Sequence, residues 1–192
     1  MAMPAAQGRH WTVREVRQLI ADAPLATPRY ELVGGELLVT PSPNAVHQSA
    51  VGLLLAALDS YARRNRLGVA YTSPFDVELE PESLVQPDVF VTSTQEAERL
   101  LTETLARALL VAVEVTSPSS ARYDRVTKRA LYQRHVSEYW VIDLSARLIE
   151  RWIPNDERPE IVVDTLVWHP AGASEPFLLE LPGYFADVYL ER

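Results

Sequence analysis

The chain has 192 residues with an ordinary globular composition of 47% hydrophobic and 23% charged residues, which excludes an intrinsically disordered protein and favours a single domain. Cysteine is absent, so disulfides, thiolate metal sites and cysteine nucleophiles are excluded. The net charge of -8 disfavours a protein that coats nucleic acid with a basic surface, but it permits a nuclease whose catalytic carboxylates bind metal ions.

The first third of the chain contains signals for a helix, a hairpin and a second helix. Thr12 and Glu15 form a capping-box pattern, which predicts a helix that ends near residue 23. The pair Gly34-Gly35 predicts a β-hairpin between strands over 30–33 and 36–39, because both turn positions can take positive φ. The spacing of apolar residues over 46–66 predicts an amphipathic helix.

The rest of the chain mixes alternating and continuous apolar segments with helical ones. The predicted ranges are 75–80 (strand), 84–91 (strand), 95–107 (helix), 109–115 (strand), 123–135 (helix) and 138–143 with 147–153 (hairpin). Strand 109–115 is apolar on both faces except at Glu114, so we expect it in the centre of the sheet. The tail is expected to add short strands and loops. This order indicates an α/β fold with a mixed sheet.

No segment is predicted to act as a signal peptide or to cross a membrane. The N-terminus lacks a basic segment that leads into a long apolar one, and apolar stretches such as 109–113 are too short to span a bilayer. We therefore expect a cytoplasmic protein with no membrane partner.

Two carboxylates stand in segments that are otherwise apolar. An ionised Glu114 within its strand is costly unless a cation or a hydrogen-bond donor compensates it. The alternative is that Glu114 lies at the sheet's edge or pairs with an arginine. Asp88 repeats the pattern, and Pro87 cannot donate to a ladder, so Asp88 is expected near a strand edge or bulge. Two oxygen ligands from neighbouring strands suit Mg²⁺.

Lys128 is the only lysine of the chain. A compact ammonium can orient an attacking water or stabilise developing phosphate charge, which a planar guanidinium does not reproduce. The alternative is a surface ion pair with Asp124, one helical turn away.

Other polar residues are weaker candidates. Glu31 faces either solvent or a site, and His47, near a helix start, is either a ligand or a capping or surface histidine. Arg122 and Tyr123 contact a phosphate or cap the helix, and Glu36 is an accessory candidate. The chain has no phosphate loop, dinucleotide motif, G-x-S-x-G elbow or H-E-x-x-H motif, so enzymes built on those templates are unsupported.

A series of short motifs allows comparison with a known family. In chain order they are Tyr30-Glu31-Leu32, Gly35-Glu36-Leu37, Pro41-Ser42-Pro43, His47, Pro74-Phe75-Asp76-Val77, Gln86-Pro87-Asp88-Val89, Glu114-Val115-Thr116-Ser117-Pro118-Ser119, Tyr123-Asp124, Lys128, Tyr132 and Glu138-Tyr139-Trp140-Val141-Ile142-Asp143. Together they resemble a bacterial restriction-endonuclease family, domain of unknown function 820 of the Uma type, in the PD-(D/E)XK nuclease superfamily. The resemblance covers roughly residues 30–152.

The resemblance implies a restriction-endonuclease-like core of mixed sheet and flanking helices. Its PD element is Pro87-Asp88, and Glu114 is the acidic residue of the next motif. Thr116 stands where the lysine of E-x-K is usual, and Lys128 looks like its replacement from the following helix. The core is expected over 30–153.

Around that core we expect an N-terminal helical brace over 1–28 and C-terminal strands and loops over 154–192. Glu31 and His47 match family positions that complete the site. Gly34 and His135 differ from the aspartate and glycine that such proteins have, which affects turns rather than catalysis.

The mechanism implied by the resemblance is metal-dependent hydrolysis of nucleic acid. Asp88 and Glu114, with the Val115 carbonyl, would hold one or two Mg²⁺ or Mn²⁺ ions, and Lys128 would orient the attacking water. DNA is the favoured substrate, and because duplex cleavage needs two cuts, a homodimer is expected. The alternatives are a catalytically inactive nuclease-fold binding module and hydrolysis of another phosphoester.

Overall fold

The computed structural model describes residues 3–4, 9–23, 28–40, 42–116 and 120–191. Its helices are α1 (Val13–Asp22), α2 (Ala45–Arg64), α3 (Thr94–Arg99), α4 (Ala121–Tyr123), α5 (Arg129–His135) and α6 (Leu181–Tyr189), with a π-helical turn, Asp124–Lys128, between α4 and α5. Its strands are β1 (Met3–Pro4), β2 (Arg29–Val33), β3 (Glu36–Thr40), β4 (Gly68–Thr72), β5 (Val89–Ser93), β6 (Val111–Thr116), β7 (Glu138–Asp143), β8 (Leu148–Trp152), β9 (Glu160–Val162), β10 (Thr165–Trp168) and β11 (Phe177–Glu180).

A six-stranded mixed sheet with the order β4-β5-β6-β7-β8-β9 forms the centre of the fold. Strands β6 and β7 are parallel, and each of the other neighbouring pairs is antiparallel. Every residue of β6 is buried, which confirms the prediction of a central strand, and the predicted mixed α/β architecture is also confirmed. Two smaller sheets have the orders β1-β3-β2 and β10-β11.

Alternation along the strands separates the core into two clusters, one on each face of the sheet. Val113 of β6 lies with the buried side of α2, which includes Leu54 and Leu58. Ala112 lies with Leu131 of α5 in the opposite cluster. Glu114 has the same parity as Ala112, so its side chain extends toward the face that α5 covers.

Several predicted elements are confirmed with small changes of boundary. Helix α1 has Thr12 as its N-cap and a complete capping box with Glu15. The hairpin of β2 and β3 turns at Gly34 and Gly35, both with positive φ. Helix α2 and the β7–β8 hairpin also lie where they were expected.

The predicted strand over 75–80 is wrong, because this segment forms isolated bridges only. Val77 exchanges both backbone hydrogen bonds with Val85. The next hydrogen-bonded pair of that ladder would join Phe75 to Pro87, which has no N–H to donate. For the same reason the predicted strand over 84–91 is only partly right, since β5 begins at Val89.

Helix α3 is shorter than the predicted range of 95–107. The carboxylate of Glu96 accepts hydrogen bonds from the backbone N–H groups of Arg107 and Ala108, and Arg99 donates to the Leu105 carbonyl. These local contacts offer the backbone an alternative to further helical turns, so the chain folds back after Arg99.

The tail contains a helix that was not predicted. Helix α6 carries Tyr184, and its buried residues pack in the same cluster as α2. Pro182 and Gly183 in its first turn resemble a loop in sequence, although a helix tolerates proline in its first turn, where the backbone N–H has no partner within the helix.

Some predictions fall outside the described residues. These are residues 1–2, 5–8 and 24–27 of the N-terminal brace, and residues 41 and 117–119 of the quoted motifs. Within the described part of the chain, no helix is long and apolar enough to cross a membrane.

Candidate active site

A cavity of about 190 Å³ lies between the β2–β3 hairpin, the start of α2, the start of β5 and the end of β6. Seven residues predicted from the sequence line it, namely Glu31, His47, Asp88, Glu114, Val115, Tyr123 and Lys128. Two others, Glu36 and Arg122, are exposed and do not line it.

Sheet register brings Asp88 and Glu114 together. Val89 of β5 pairs with Val113 of β6 in an antiparallel ladder, so one step further along each strand Asp88 lies opposite Glu114. Directly opposite residues share a face of the sheet. Both carboxylates are 2% exposed.

Both oxygens of Asp88 have donors. Oδ1 accepts a hydrogen bond from Arg29 Nη1 at 2.8 Å, and Oδ2 accepts one from the Val115 N–H at 2.9 Å. His47 Nε2 lies 3.1 Å from Oδ2. Burial by itself raises the pKa of Asp88, but His47, Arg29 and Val115 outweigh it and hold the pKa below its ordinary value. Asp88 is therefore ionised at neutral pH.

For Glu114 the contributions to the pKa balance in the opposite direction, toward the protonated form. Its Oε1 accepts hydrogen bonds from Lys128 Nζ and the Tyr132 hydroxyl, each at 3.0 Å. Burial raises the pKa of Glu114 well above its ordinary value, and Asp88 and Asp124 add to this rise against the charge of Lys128. Both alternatives considered for Glu114 are wrong, since it lies on the central strand rather than at the sheet's edge and pairs with a lysine rather than an arginine.

Lys128 connects the carboxylates of three different elements. Its Nζ lies 2.8 Å from Glu31 Oε1, 3.0 Å from Glu114 Oε1 and 3.9 Å from Asp124 Oδ1. Glu31 is fixed by the backbone N–H of Gln86, which donates to it at 2.8 Å. The alternative interpretation of Lys128 and Asp124 as a surface ion pair is wrong, because both side chains are buried.

The π-helical turn delivers Asp124 and Lys128 to the cavity from the same side. Both are buried, whereas Val126 between them is 55% exposed. π-Helical turns inside α-helices occur frequently at functional sites. Tyr123, just before the turn, lines the cavity, and its buried hydroxyl has no hydrogen-bond partner among the described residues.

The charge balance of the cavity favours a cation. Four buried carboxylates, Glu31, Asp88, Glu114 and Asp124, face two permanent cations, Lys128 and Arg29. With every carboxylate ionised, two negative charges are uncompensated, and buried charge without compensation is costly. In the metal-free protein this cost appears as proton uptake, since burial raises the pKa of both Glu114 and Asp124. One divalent cation would supply the difference.

The donor types fit Mg²⁺ or Mn²⁺, since carboxylate and carbonyl oxygens are the ligands that suit such ions. His47 also has a buried Nδ1 without a hydrogen-bond partner among the described residues. The ligands are not arranged in advance, because no group of three or more His, Asp or Glu side chains in the described residues is placed to hold a metal. Asp88 and Glu114 instead contact Arg29 and Lys128.

Three residues of the site were missed in the sequence. Arg29 stands two positions before Glu31, and the period of two along a strand places both on one face. Asp124 was considered only as a surface partner of Lys128. Tyr132 follows Lys128 by four residues, a spacing that puts both on one side of a helix.

Comparison with known proteins gives a family and a fold. The family model Uma2, described as "Putative restriction endonuclease", matches residues 14–176. The chain is similar to a solved structure described as a putative nuclease belonging to DUF820 from Anabaena variabilis, with a TM-score of 0.77 and 19% identity over 93% of this chain and 99% of that one. This likeness in backbone confirms the restriction-endonuclease-like core. No curated protein matches the chain significantly.

Proposed function

This chain belongs to the Uma2 family of putative restriction endonucleases, and from that premise we propose that it is a divalent-metal-dependent endonuclease that hydrolyses phosphodiester bonds in DNA. The observation that carries the proposal is one cavity in which the buried side chains of Asp88, Glu114, Glu31 and Lys128 lie together. The preference for DNA over RNA rests on the family description.

Asp88 and Glu114, with the Val115 carbonyl, are the residues that would hold Mg²⁺ or Mn²⁺. When bound, such an ion polarises the phosphodiester and lowers the pKa of a bound water. Asp88 is prepared for this role because its hydrogen bonds keep it ionised. Glu114 would exchange its contact with Lys128 for one with the ion.

Lys128 acts as a charged donor. Although burial lowers its pKa, Glu114 and Glu31 raise the pKa above the ordinary value. The ammonium therefore keeps its proton at neutral pH in the metal-free protein. It can orient the attacking water or stabilise negative charge on the phosphate.

Residues at the edge of the cavity have supporting roles in the proposal. His47 orients Asp88 through the contact of its Nε2. Tyr123 lines the cavity, and its hydroxyl has no hydrogen-bond partner within the described part of the chain. Arg122 is exposed beside Tyr123 and is available to a phosphate. Glu36 is exposed and does not line the cavity, so it is given no part in the proposed reaction. Two copies of the chain would cut both strands of a duplex.

The test is cleavage of DNA and RNA by purified protein with Mg²⁺ or Mn²⁺. Asp88→Ala, Glu114→Gln and Lys128→Ala should each abolish metal-dependent cleavage. The matched control is Glu150→Gln, which changes a buried carboxylate that pairs with Arg125 outside the cavity, and this variant should remain active. Cleavage that survives all three site substitutions would contradict the proposal.

A second candidate is a catalytically inactive binding module that keeps the nuclease fold. It is favoured by the contacts that already occupy Asp88 and Glu114 and by the absence of a preformed ligand group in the described residues. The two candidates differ in their response to Mn²⁺. An endonuclease should melt at a higher temperature with Mn²⁺, and this rise should need Asp88 and Glu114, whereas an inactive module that has lost its ion should show no such rise.

A further inference from the structure

Arg29 holds Asp88 through an incomplete ion pair. Its Nη1 donates both to Asp88 Oδ1 at 2.8 Å and to Ser73 Oγ at 2.7 Å. Its Nε is buried without a hydrogen-bond partner among the described residues. A guanidinium normally pairs with a carboxylate most strongly through two parallel hydrogen bonds. Arg29 therefore neutralises Asp88 with only part of its hydrogen-bonding capacity.

Arg29 occupies the side of Asp88 on which a metal ion would bind. The other oxygen, Oδ2, already accepts from the Val115 N–H and contacts His47. Oδ1 has Arg29 as its charged partner. An ion bound to this carboxylate and a guanidinium 2.8 Å from it would repel each other strongly in a buried site.

The side chain of Arg29 has space to move. Besides the candidate active site, it lines a cavity of about 510 Å³ that also contains the acidic side chains of Asp76 and Glu103, and a third cavity of about 230 Å³. In the larger cavity Asp76 accepts a hydrogen bond from the neutral amide of Gln86, so its carboxylate could replace Asp88 as the partner of the displaced guanidinium.

We propose that Arg29 is a built-in competitor of the metal ion, which holds Asp88 while the site is empty of metal and leaves when a divalent cation binds. The inference rests on the metal site of the proposed function, and it adds Arg29 as a residue that sets the affinity of this site for the divalent cation. Arg29 stabilises the four-carboxylate cavity in the absence of metal, and it restricts loading of the site to high concentrations of free ion. Arg29 is thus a positioning residue for Asp88.

The test measures Mn²⁺ affinity by calorimetry without nucleic acid. In Arg29→Gln the competing charge is lost, so Mn²⁺ should bind more tightly by roughly tenfold or more. Arg29→Lys keeps a positive charge and should stay closer to the wild-type affinity. The matched control is Arg125→Gln, which removes a partly buried arginine paired with Asp143 and Glu150 and should leave the affinity unchanged. A purely structural role for Arg29 would weaken Mn²⁺ binding instead.

A second measurement uses the wild-type protein and stands even if Arg29→Gln fails to fold. The guanidinium NMR signals of Arg29, assigned by comparison with Arg29→Lys, should shift when Mg²⁺ saturates the site. Unchanged Arg29 signals at saturation, an unchanged or weaker Mn²⁺ affinity in Arg29→Gln, or no binding by the wild type would overturn the inference. Tighter binding by Arg29→Gln without any nucleic-acid cleavage would support the inference and reject the proposed nuclease activity.

Discussion

Lys128 is the most densely paired residue of the site, with carboxylates from β2, β6 and the π-helical turn around one ammonium. Removal of one partner from a buried ionic group is far more costly than removal of an exposed one, because the remaining charges stay buried without compensation. The stability of the metal-free protein should therefore depend on this one side chain.

We predict that Lys128→Met lowers the free energy of unfolding by about 3–5 kcal/mol in EDTA, as expected for a broken buried ion pair. The measurement is urea denaturation. Arg134→Met is the control, since Arg134 pairs with Glu80 at the surface with its own side chain 53% exposed, and it should cost less than about 1 kcal/mol. Equal effects of the two substitutions would show that Lys128 is not held as described.

Asp124 gives the unfolding free energy a defined pH dependence. Burial raises the pKa of Asp124 from 3.8 to about 6, against the charge of Lys128. The folded protein then binds this proton more tightly than the unfolded chain does. The contribution of Asp124 to stability therefore falls as pH rises from 3.8 to about 6 and is constant above that range.

We predict that Asp124→Asn removes this decrease, so that the variant gains stability relative to wild type as pH rises through the window. Urea denaturation in EDTA at several pH values measures the difference. Asp143→Asn should show the opposite sign, at pH values near and below 3.8. Burial raises the pKa of Asp143, but the Ala146 N–H and Arg125 lower it below its ordinary value, so the stabilisation is lost as pH falls. A difference curve for Asp124→Asn that is flat over this range would contradict the prediction.

The site residues differed in how clearly the sequence marked them as functional. Asp88 and Glu114 were recognised because a carboxylate in an apolar strand needs compensation. Arg29 gave no such signal, since it stands at the start of a strand where an arginine is ordinarily exposed. Asp124 was assigned to the surface because helical spacing shows which residues share a face and does not show what covers that face.

Among the helices and strands, hydrophobic periodicity correctly predicted the elements whose formation depends on their own residues. Helices α1 and α2 and strand β6 follow their apolar patterns closely. The segment 75–80 has an equally clear alternation, but whether it becomes a strand depends on a partner segment interrupted by Pro87. The hydrophobic pattern of a segment does not show whether a distant segment can pair with it as a strand.

The β2–β3 hairpin, which positions Glu31, provides a test at this scale. Gly34 and Gly35 have φ of +56° and +80°. A Cβ at Gly34 would meet no neighbour, whereas at Gly35 it would overlap the ring of His10. We predict that Gly34→Asn changes the free energy of unfolding by less than about 1 kcal/mol, because asparagine tolerates this conformation.

Gly35→Ala should destabilise the protein by about 1–2 kcal/mol or more from backbone strain alone. Urea denaturation compares the two variants directly. If Gly34→Asn proved the more damaging substitution, the assigned turn geometry would be incorrect.

At the scale of the whole molecule, the central sheet separates two apolar clusters, and a third cluster lies under α1. We propose that these parts form one domain. Tryptophans occur in or beside all three clusters, with Trp140 and Trp168 in the first, Trp152 in the second and Trp11 in the third. Tryptophan fluorescence therefore reports on every part of the core.

One domain should unfold in a single cooperative transition. We predict that fluorescence and far-UV circular dichroism give the same midpoint in urea. A fluorescence change that precedes the loss of helical signal would indicate that one cluster unfolds separately, and the chain would then contain more than one folding unit.

The central claim is that Asp88 and Glu114 together bind a divalent cation in the cavity that Lys128 borders. A crystal structure with Mn²⁺, located by its anomalous scattering, tests this most directly. We predict an ion in contact with both carboxylates, at roughly 2.0–2.3 Å as is usual for such ions with oxygen ligands. A cavity without Mn²⁺ at saturating concentration, with Arg29 and Lys128 still in contact with the carboxylates, would contradict it.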